Sequence, residues 1–389
     1  MIICDREKCC GCSLCSTICP KNAIEMIEGD DGFFYPKIDE TKCVNCGLCK
    51  KMCIMNKQQE KQLPIECYAA HHKEQEIERK SASGGVFFSI ATSFLKSGGW
   101  VCGAIMKKQK GKMIIKHIVS NNIEDIKKMQ GSKYVQSNIQ EALSDIKDLE
   151  NKGEKILFCG TPCQCSAVKS KSGKYKKIYF IDLICHGVPS EKMFNDFLNN
   201  KLKTNEEIEE YIFRDKTKRR GYISKKTTKK GTKQKTTYTP AYLESFYQLF
   251  LTSKIFRENC YNCQFATSKR ISDLTIGDYW GIEEEFKELF KIGKMSKEYS
   301  WSCILVNNQK GQELIKEYGN DLEIIKSNLE SITKYNGQLN CPSKYPKNRN
   351  KIFKDYQKFG YEKLEKDFIK NTGLIKYYLL KLRFILLKK

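Results

Sequence analysis

The sequence predicts a mixed α+β and α/β fold in two unequal parts, a small cysteine-rich N-terminal domain and a larger α/β body built on a mixed sheet. Three observations predict it. Two short cysteine runs with one spacing fill the first fifty-odd residues. A polar stretch, Asn56 to Pro64, then separates them from chain of a different composition. Beyond it, apolar strand-like runs alternate with helical patterns and end in Gly/Pro loops, the pattern of a sheet covered by helices.

The chain has 389 residues, of which 40% are hydrophobic and 11% aromatic. That is enough for sizeable cores and excludes a wholly disordered chain. With 8 prolines and no Gly-x-y or heptad repeat, fibrous classes are excluded too. The start, Met1-Ile2-Ile3-Cys4-Asp5-Arg6-Glu7, has no basic segment followed by an apolar one, so no secretory signal is read and a cytoplasmic protein is expected. The longest charge-free apolar stretch, about Val86 to Leu95, is too short to cross a bilayer. In a reducing compartment, 20 cysteines point to metal or redox chemistry rather than disulfides.

The first run is Cys9-x2-Cys12-x2-Cys15-x3-Cys19-Pro20 and the second Cys43-x2-Cys46-x2-Cys49-x3-Cys53. Each has the bacterial ferredoxin spacing. Three closely spaced thiolates on a tight loop reach three corners of an iron–sulfur cubane, and the last cysteine of the opposite run supplies the fourth. One 4Fe–4S cluster is therefore assigned to Cys9, Cys12, Cys15 and Cys53, the other to Cys43, Cys46, Cys49 and Cys19. Zinc sites use separated pairs rather than runs of four. Gly11, Ser13 and Gly47 leave backbone N–H groups free to face cluster sulfurs. Ile54 stands where the pattern's second proline would be, and Cys4 and Cys10 fit no ligand position. Ala23–Ile27 and Phe33–Asp39 read as the strands of a hairpin. Residues 1–58 are thus expected to form a two-cluster ferredoxin domain.

In the body, Cys67-Tyr68-Ala69-Ala70 begins a strand. Ser81 to Gly85 precede a helix from Val86, with serine capping expected; a helix start preceded by Ser and Gly favours an anion. Gly98 to Met106 reads as turn and strand. Lys155 to Gln164 reads as strand, tight turn and helix, with Pro162 near the first helical position. Lys177 to Ile184 is a buried strand running into Cys185-His186-Gly187-Val188-Pro189, with Ser190 capping the next helix. Two neighbouring strands so end in cysteine-bearing loops at the carboxyl edge, where ligands bind in parallel sheets. Asp273 to Gly281 and Trp301 to Val306 are further strands, the second followed by a helix from about Gly311 to Tyr318.

The net charge of +23 is concentrated. Residues 214–235 hold eleven Lys/Arg and one acid, Asp215, whereas residues 1–66 carry a net −1. Such an uneven distribution does not indicate a nucleic-acid binder. The 214–237 stretch, with Lys218-Arg219-Arg220, Lys225-Lys226 and Lys229-Lys230, reads as a solvated basic hairpin or as a docking surface for an acidic redox carrier protein. The 336–389 tail is basic and helical. Its segment 374–389 is apolar with interspersed cations on no single clean face, so it either covers the body or a partner or lies on an anionic membrane surface.

Six motifs occur in order: Ser83-Gly84-Gly85-Val86-Phe87, Ser132-Lys133-Tyr134-Val135-Gln136-Ser137, Gly160-Thr161-Pro162-Cys163-Gln164, Asp182 to Ser190, Phe213-Arg214-Asp215-Lys216 and Asp273 to Gly281. Together with the cysteine runs they resemble the coenzyme F-420 hydrogenase/dehydrogenase beta-subunit family fused to a ferredoxin module, over about residues 1–335. The resemblance implies a beta-subunit N-terminal, flavin-binding domain over 67–142 and a C-terminal domain over 143–335. It implies FAD held near Ser83, Gly84, Gly85 and Lys133, with Gly160 and Thr161 close. Lys133 would suit a phosphate or the flavin N1 side, or is simply exposed. No Gly-x-Gly-x-x-Gly follows a strand, so an ordinary dinucleotide half is not expected. Cys163, Cys185, Cys260 and Cys263 would form a third iron–sulfur site, a zinc site, or free thiols beside the flavin. His186 is a candidate proton donor or a histidine fixed by local hydrogen bonds.

The expected function is an iron–sulfur flavoprotein oxidoreductase. It would relay electrons between its ferredoxin-type clusters, FAD and a deazaflavin coenzyme or small organic acceptor, with a ferredoxin, dehydrogenase or hydrogenase subunit as redox partner. The alternative is a non-catalytic electron-transfer subunit of a larger redox or polysaccharide-biosynthesis complex.

Overall fold

The structure is a computed structural model that describes residues 2–172, 176–217 and 221–386, without the side chain of Ile385. Lys218-Arg219-Arg220 and the last three residues of the 374–389 tail lie outside the described residues.

The strands in chain order are β1 Ile24–Glu28, β2 Phe34–Ile38, β3 Glu66–His72, β4 Trp100–Gln109, β5 Lys112–Ser120, β6 Ile156–Gly160, β7 Ile178–Leu183, β8 Glu207–Ile212, β9 Ile223–Lys230, β10 Lys233–Pro240, β11 Leu274–Asp278, β12 Ser302–Val306 and β13 Leu322–Ser327. β1 and β2 form the hairpin of the N-terminal domain, with Ile24 opposite Ile38. Eight strands make the central sheet in the order β13-β3-β12-β11-β7-β6-β4-β5. The inner strands β4, β6, β7 and β11 run parallel, and the flanks are antiparallel. The sheet is mixed as expected, and strands from 67–142 and from 143–335 share it: β3 inserts between β12 and β13.

Alternation along the inner strands builds two cores. Leu157 and Ile181 face a layer that includes Ile90, Phe94, Ile126, Leu314 and Tyr318. Phe158 and Phe180 face Leu143, Ile146, Cys165 and Val168. Helices therefore cover both faces, and β6 is buried at every position, as parallel inner strands are. Leu14 and Ile54 of the N-terminal domain pack into the second core.

The helix Val86–Lys96 forms where expected, but its N-cap is Gly85 at φ 89° with no side-chain cap, not a serine. Gly84 must be glycine because a Cβ would lie 2.3 Å from the Ala70 carbonyl oxygen. The helix Pro162–Lys171 opens with Pro162 and a reciprocal Thr161/Gln164 capping box, and Ser190 caps Glu191–Asn200 by accepting from Met193 N–H at 3.3 Å. The basic stretch is a hairpin, β9–β10, extended by the acidic strand β8. Lys225 is there paired with Glu210 at 2.8 Å. The tail forms two helices, Arg349–Thr372, kinked at Gly360, and Leu374–Leu386.

Candidate functional site

The two cysteine loops of the N-terminal domain fold alike. Gly11 and Ser13 in the first, Asn45 and Gly47 in the second, all have φ between 52° and 71°. Left-handed residues at matching steps turn successive N–H groups toward one side, which suits an anionic sulfur cluster. Cys19, Cys43, Cys46 and Cys49 line one small cavity with Ile24 and Ile38, and Ala23 N–H donates to Cys19 Sγ at 3.3 Å. Cys9 and Cys53 lie beside Cys15, whose thiol is pushed up to about 12 by burial and by these neighbouring thiolates. Cys12, the fourth residue assigned to that cluster, contacts Cys10 and borders a larger cavity. Cys4 and Cys10, without a place in the spacing pattern, both touch other thiols: Cys4 touches Cys53 and Cys9, and buried Cys10 touches Cys12 and Cys163.

The larger cavity, of about 520 Å³, lies at the carboxyl edge of the parallel strands. Loops after β6 and β7 bring Cys163 and Cys185 to it, and the turn Glu258–Asn262 brings Cys260 and Cys263. These four thiols are mutual neighbours. Burial and the adjacent thiolates push Cys185 to about 12 and Cys263 to about 11, and Cys260 well above the ordinary thiol range. Two buried arginines frame the quartet. Arg257 donates from Nε to the Cys9 carbonyl at 2.6 Å and places Nη2 3.6 Å from Cys9 Sγ. Arg270 is paired with Asp182 at 2.7 Å, both fully buried. Among the described residues no three His, Cys, Asp or Glu side chains converge closely enough for a single metal ion, the geometry of zinc with bonds of about 2.3 Å. A cubane, with four irons between the sulfurs, holds its thiolates farther apart.

The segments expected near a flavin border the same cavity. Ser83, Gly85, Lys133, Gly160 and Thr161 all line it; Gly84 does not, being packed on β3. The serine hydroxyls are occupied: Ser83 donates to Trp301 O at 3.1 Å and Ser81 to Ile77 O at 3.0 Å. What faces the cavity is the uncapped start of Val86–Lys96. Lys133 is half-buried rather than exposed. Its Nζ reaches the carbonyls of Lys128, Met129, Gln130 and Gly131 at 2.8–3.1 Å, closing off the end of the helix Ile123–Met129, and burial brings it down to about 7. Arg214, paired with Asp278 at 2.7 Å, borders the cavity with a buried Nε that has no partner. An uncapped helix start and an orphaned guanidinium N–H on one cavity suit a diphosphate-bearing cofactor.

With this geometry in view, the comparisons are decisive at family level. The profile of the coenzyme F420 hydrogenase/dehydrogenase beta subunit matches through its N-terminal part at residues 67–144 and its C-terminal part at 153–331. The chain belongs to that family. A 4Fe–4S dicluster domain matches residues 8–57, so the N-terminal domain is an iron–sulfur domain and the protein a redox protein of an oxidoreductase family. A chain from the xenon-derivatised F420-reducing [NiFe] hydrogenase complex of Methanosarcina barkeri is similar at 17% identity and TM-score 0.47, covering 79% of this chain and 97% of that one. No curated protein matches.

Within this family member, His186 borders the cavity but is held at both nitrogens: Gln338 Nε2 donates to Nδ1 at 2.8 Å, so Nε2 carries the proton and donates to Ser253 Oγ at 3.2 Å. Burial lowers its pKa. That arrangement fixes the loop and leaves no proton aimed into the cavity. Sequence reasoning missed Arg257, Arg270 and His117, and held Arg214 in a motif without giving it a role. His117 is buried against the cavity, with Nε2 3.0 Å from Cys159 O and Nδ1 unpartnered. It also missed the aromatic mouth, where Tyr222 stacks on Trp280 at 6.1 Å and 20° with Arg214 over the Tyr222 ring. A local signal existed for one of them: Arg257 stands three residues before Cys260 in the Cys260-x2-Cys263 pair.

Proposed function

We propose that this protein is an iron–sulfur flavoprotein oxidoreductase that exchanges electrons between a redox carrier protein and a deazaflavin coenzyme or small organic acceptor. The reading rests on one observation: the thiol quartet, the first ferredoxin loop through Cys10 and Cys12, and the segments expected to hold FAD all border a single cavity. Cys9, Cys12, Cys15 and Cys53 hold one cluster, Cys19, Cys43, Cys46 and Cys49 the second, and Cys163, Cys185, Cys260 and Cys263 a third. FAD, when bound, supplies the exchange between one-electron and two-electron chemistry. The chain's own groups do the rest. The start of Val86–Lys96 and Arg214 take the diphosphate, Lys133 and His117 line the pocket, and His186 positions the loop that carries Cys185. The Tyr222–Trp280 pair offers a planar acceptor a stacking surface at the mouth.

Anaerobic purification with iron, flavin and absorption analysis tests this. About twelve irons per chain with bound flavin support it, about eight remove the third cluster, and absence of flavin removes the flavoprotein assignment. Reoxidation of the reduced protein by deazaflavin, compared with ferredoxin, then separates an enzyme from an electron-transfer subunit, which would turn over no small molecule alone.

A further inference from the structure

The helix Leu374–Leu386 has two apolar sides, and the fold uses only one. Tyr377 and Phe384 are buried with Leu380 beside them, packed on Leu243, Tyr238, Phe368 and Ile369. At 3.6 residues per turn, Ile375, Leu379, Leu382 and Leu386 form a stripe on the opposite side. They are 77%, 60%, 54% and 63% exposed, and Tyr378 at 55% extends the stripe. The cations fall at its borders: on the same helical projection Lys376 and Arg383 lie along one edge and Lys381 along the other. The sequence pattern hid this arrangement, because two apolar faces leave no simple polar half. From Leu374 to Lys389 there is no acidic residue, and the preceding helix exposes Lys351, Lys354, Lys358 and Lys370 on the basic tail.

We propose that this outward stripe is a membrane-surface docking site that takes an anionic lipid headgroup layer. The apolar side chains enter the acyl boundary, and the bordering cations, on stems long enough to reach outward, meet the lipid phosphates. Charge decides the occupant. A second copy of the same helix would bring like-charged borders together, which opposes self-association, whereas an acidic lipid surface complements them. The helix lies on the surface rather than crossing it: no helix among the described residues is long and apolar enough to span a bilayer.

Co-sedimentation of the full-length protein with phosphatidylglycerol-containing vesicles tests the proposal. Binding is expected to anionic vesicles and to be at least about tenfold weaker to pure phosphatidylcholine, and to fall with salt. The double variant Leu379→Glu/Leu382→Glu leaves the packed side of the helix intact, so iron content and circular dichroism should be unchanged while vesicle binding drops at least about tenfold. Lys381→Gln/Arg383→Gln should weaken anionic binding alone. The proposal is overturned if the wild type ignores anionic vesicles, or if the glutamate variant binds them equally. It is also overturned if size-exclusion chromatography shows a wild-type dimer that the variant breaks.

Discussion

Replacing Arg257 by glutamine should lower the reduction potential of the cluster that includes Cys9. The guanidinium is almost wholly buried, with rings of Phe33 and Tyr35 below it at 5.3 and 4.4 Å. It holds the Cys9 and Phe34 carbonyls at 2.6 and 2.9 Å and comes within 3.6 Å of Cys9 Sγ. A full unit charge on that sulfur would be stabilised by about 5 kcal/mol at an effective dielectric of about 20. The electron added on reduction is shared over the whole cluster, so about half of that, or about 100 mV for a one-electron couple, is the expected loss. Glutamine removes the charge, the reduced state loses its stabilisation, and the potential falls. Arg257→Lys keeps the charge and should recover most of the shift even though the forked contacts are lost. The assay is an anaerobic redox titration followed by electron paramagnetic resonance, with iron content as the control for folding. If the Arg257→Gln protein titrates within about 30 mV of wild type, the electrostatic argument is wrong. If lysine and glutamine shift the potential equally, contact geometry rather than charge is responsible.

Cys163→Ser should remove about four irons per chain while leaving the resonance signals of both N-terminal clusters; loss of one N-terminal signal would place Cys163 in that set instead. Lys216→Met should destabilise by about 1–3 kcal/mol in chemical denaturation, because it takes one partner from Glu78, which is fully buried and bonded to Lys216 Nζ; a double-mutant cycle with Glu78→Gln should show the two changes to be coupled, and strictly additive losses would refute the pairing. His117 has its pKa lowered to about 4 by burial, below its unfolded value of about 6.5. Between those limits the unfolded chain binds the extra proton, so stability falls as pH drops from 6.5 to 4, by about 3 kcal/mol, and levels off below. His117→Asn should flatten that limb of the denaturation profile; an unchanged slope would show that other groups produce it.

What the sequence disclosed and what it hid divide along the range of the interactions. The cysteine runs were legible because a cluster needs ligands a fixed few residues apart, and a spacing is a one-dimensional quantity. β6 and β7 were legible because strands buried on both faces read as unbroken apolar runs. The strands β5, β8 and β13 were not, since their burial patterns are mixed and their pairing is decided by partners elsewhere. The cap of Val86–Lys96 was misread because Ser81 bonds back to the Ile77 carbonyl of the preceding helix and Ser83 finds a distant partner in Trp301, while Gly85 takes the left-handed turn. The quartet was half legible: Cys260-x2-Cys263 is a pair in sequence, but its meeting with Cys163 and Cys185 follows from the adjacency of β6 and β7. Of the buried arginines of the cavity, Arg270 was invisible, because in a chain with 69 Lys/Arg nothing local marks it, whereas Arg257 stands three residues before Cys260 and Arg214 lies in the Phe213-Arg214-Asp215-Lys216 motif.

The N-terminal domain is docked on the body, not tethered to it, and this follows from where its contacts are made. Gln136 Nε2 donates to the Cys10 carbonyl at 2.9 Å, Asn259 Nδ2 to the Lys8 carbonyl at 2.7 Å and Gln264 Nε2 to the Ile54 carbonyl at 3.2 Å. Each body side chain grips backbone at or beside a cysteine loop. Gly11 fits the same contact so closely that a Cβ would lie 2.7 Å from Arg257 Nη1 and 2.8 Å from Gln136 Nε2, at a φ of +66°, in the left-handed region that glycine adopts without strain. The residues around Gly11 thus serve two surfaces at once: Cys9 turns toward Cys4, while Cys10 turns to Cys163. A domain that swung to deliver electrons would have to break these bonds and expose Leu14 and Ile54, both buried in the body's core. The separation between the N-terminal clusters and the cavity is therefore set by packing, in which the 56–64 stretch takes part: Gln62 and Arg270 exchange backbone bonds at 2.9 and 2.8 Å, and Ser166 donates to Gln59 Oε1 at 2.6 Å.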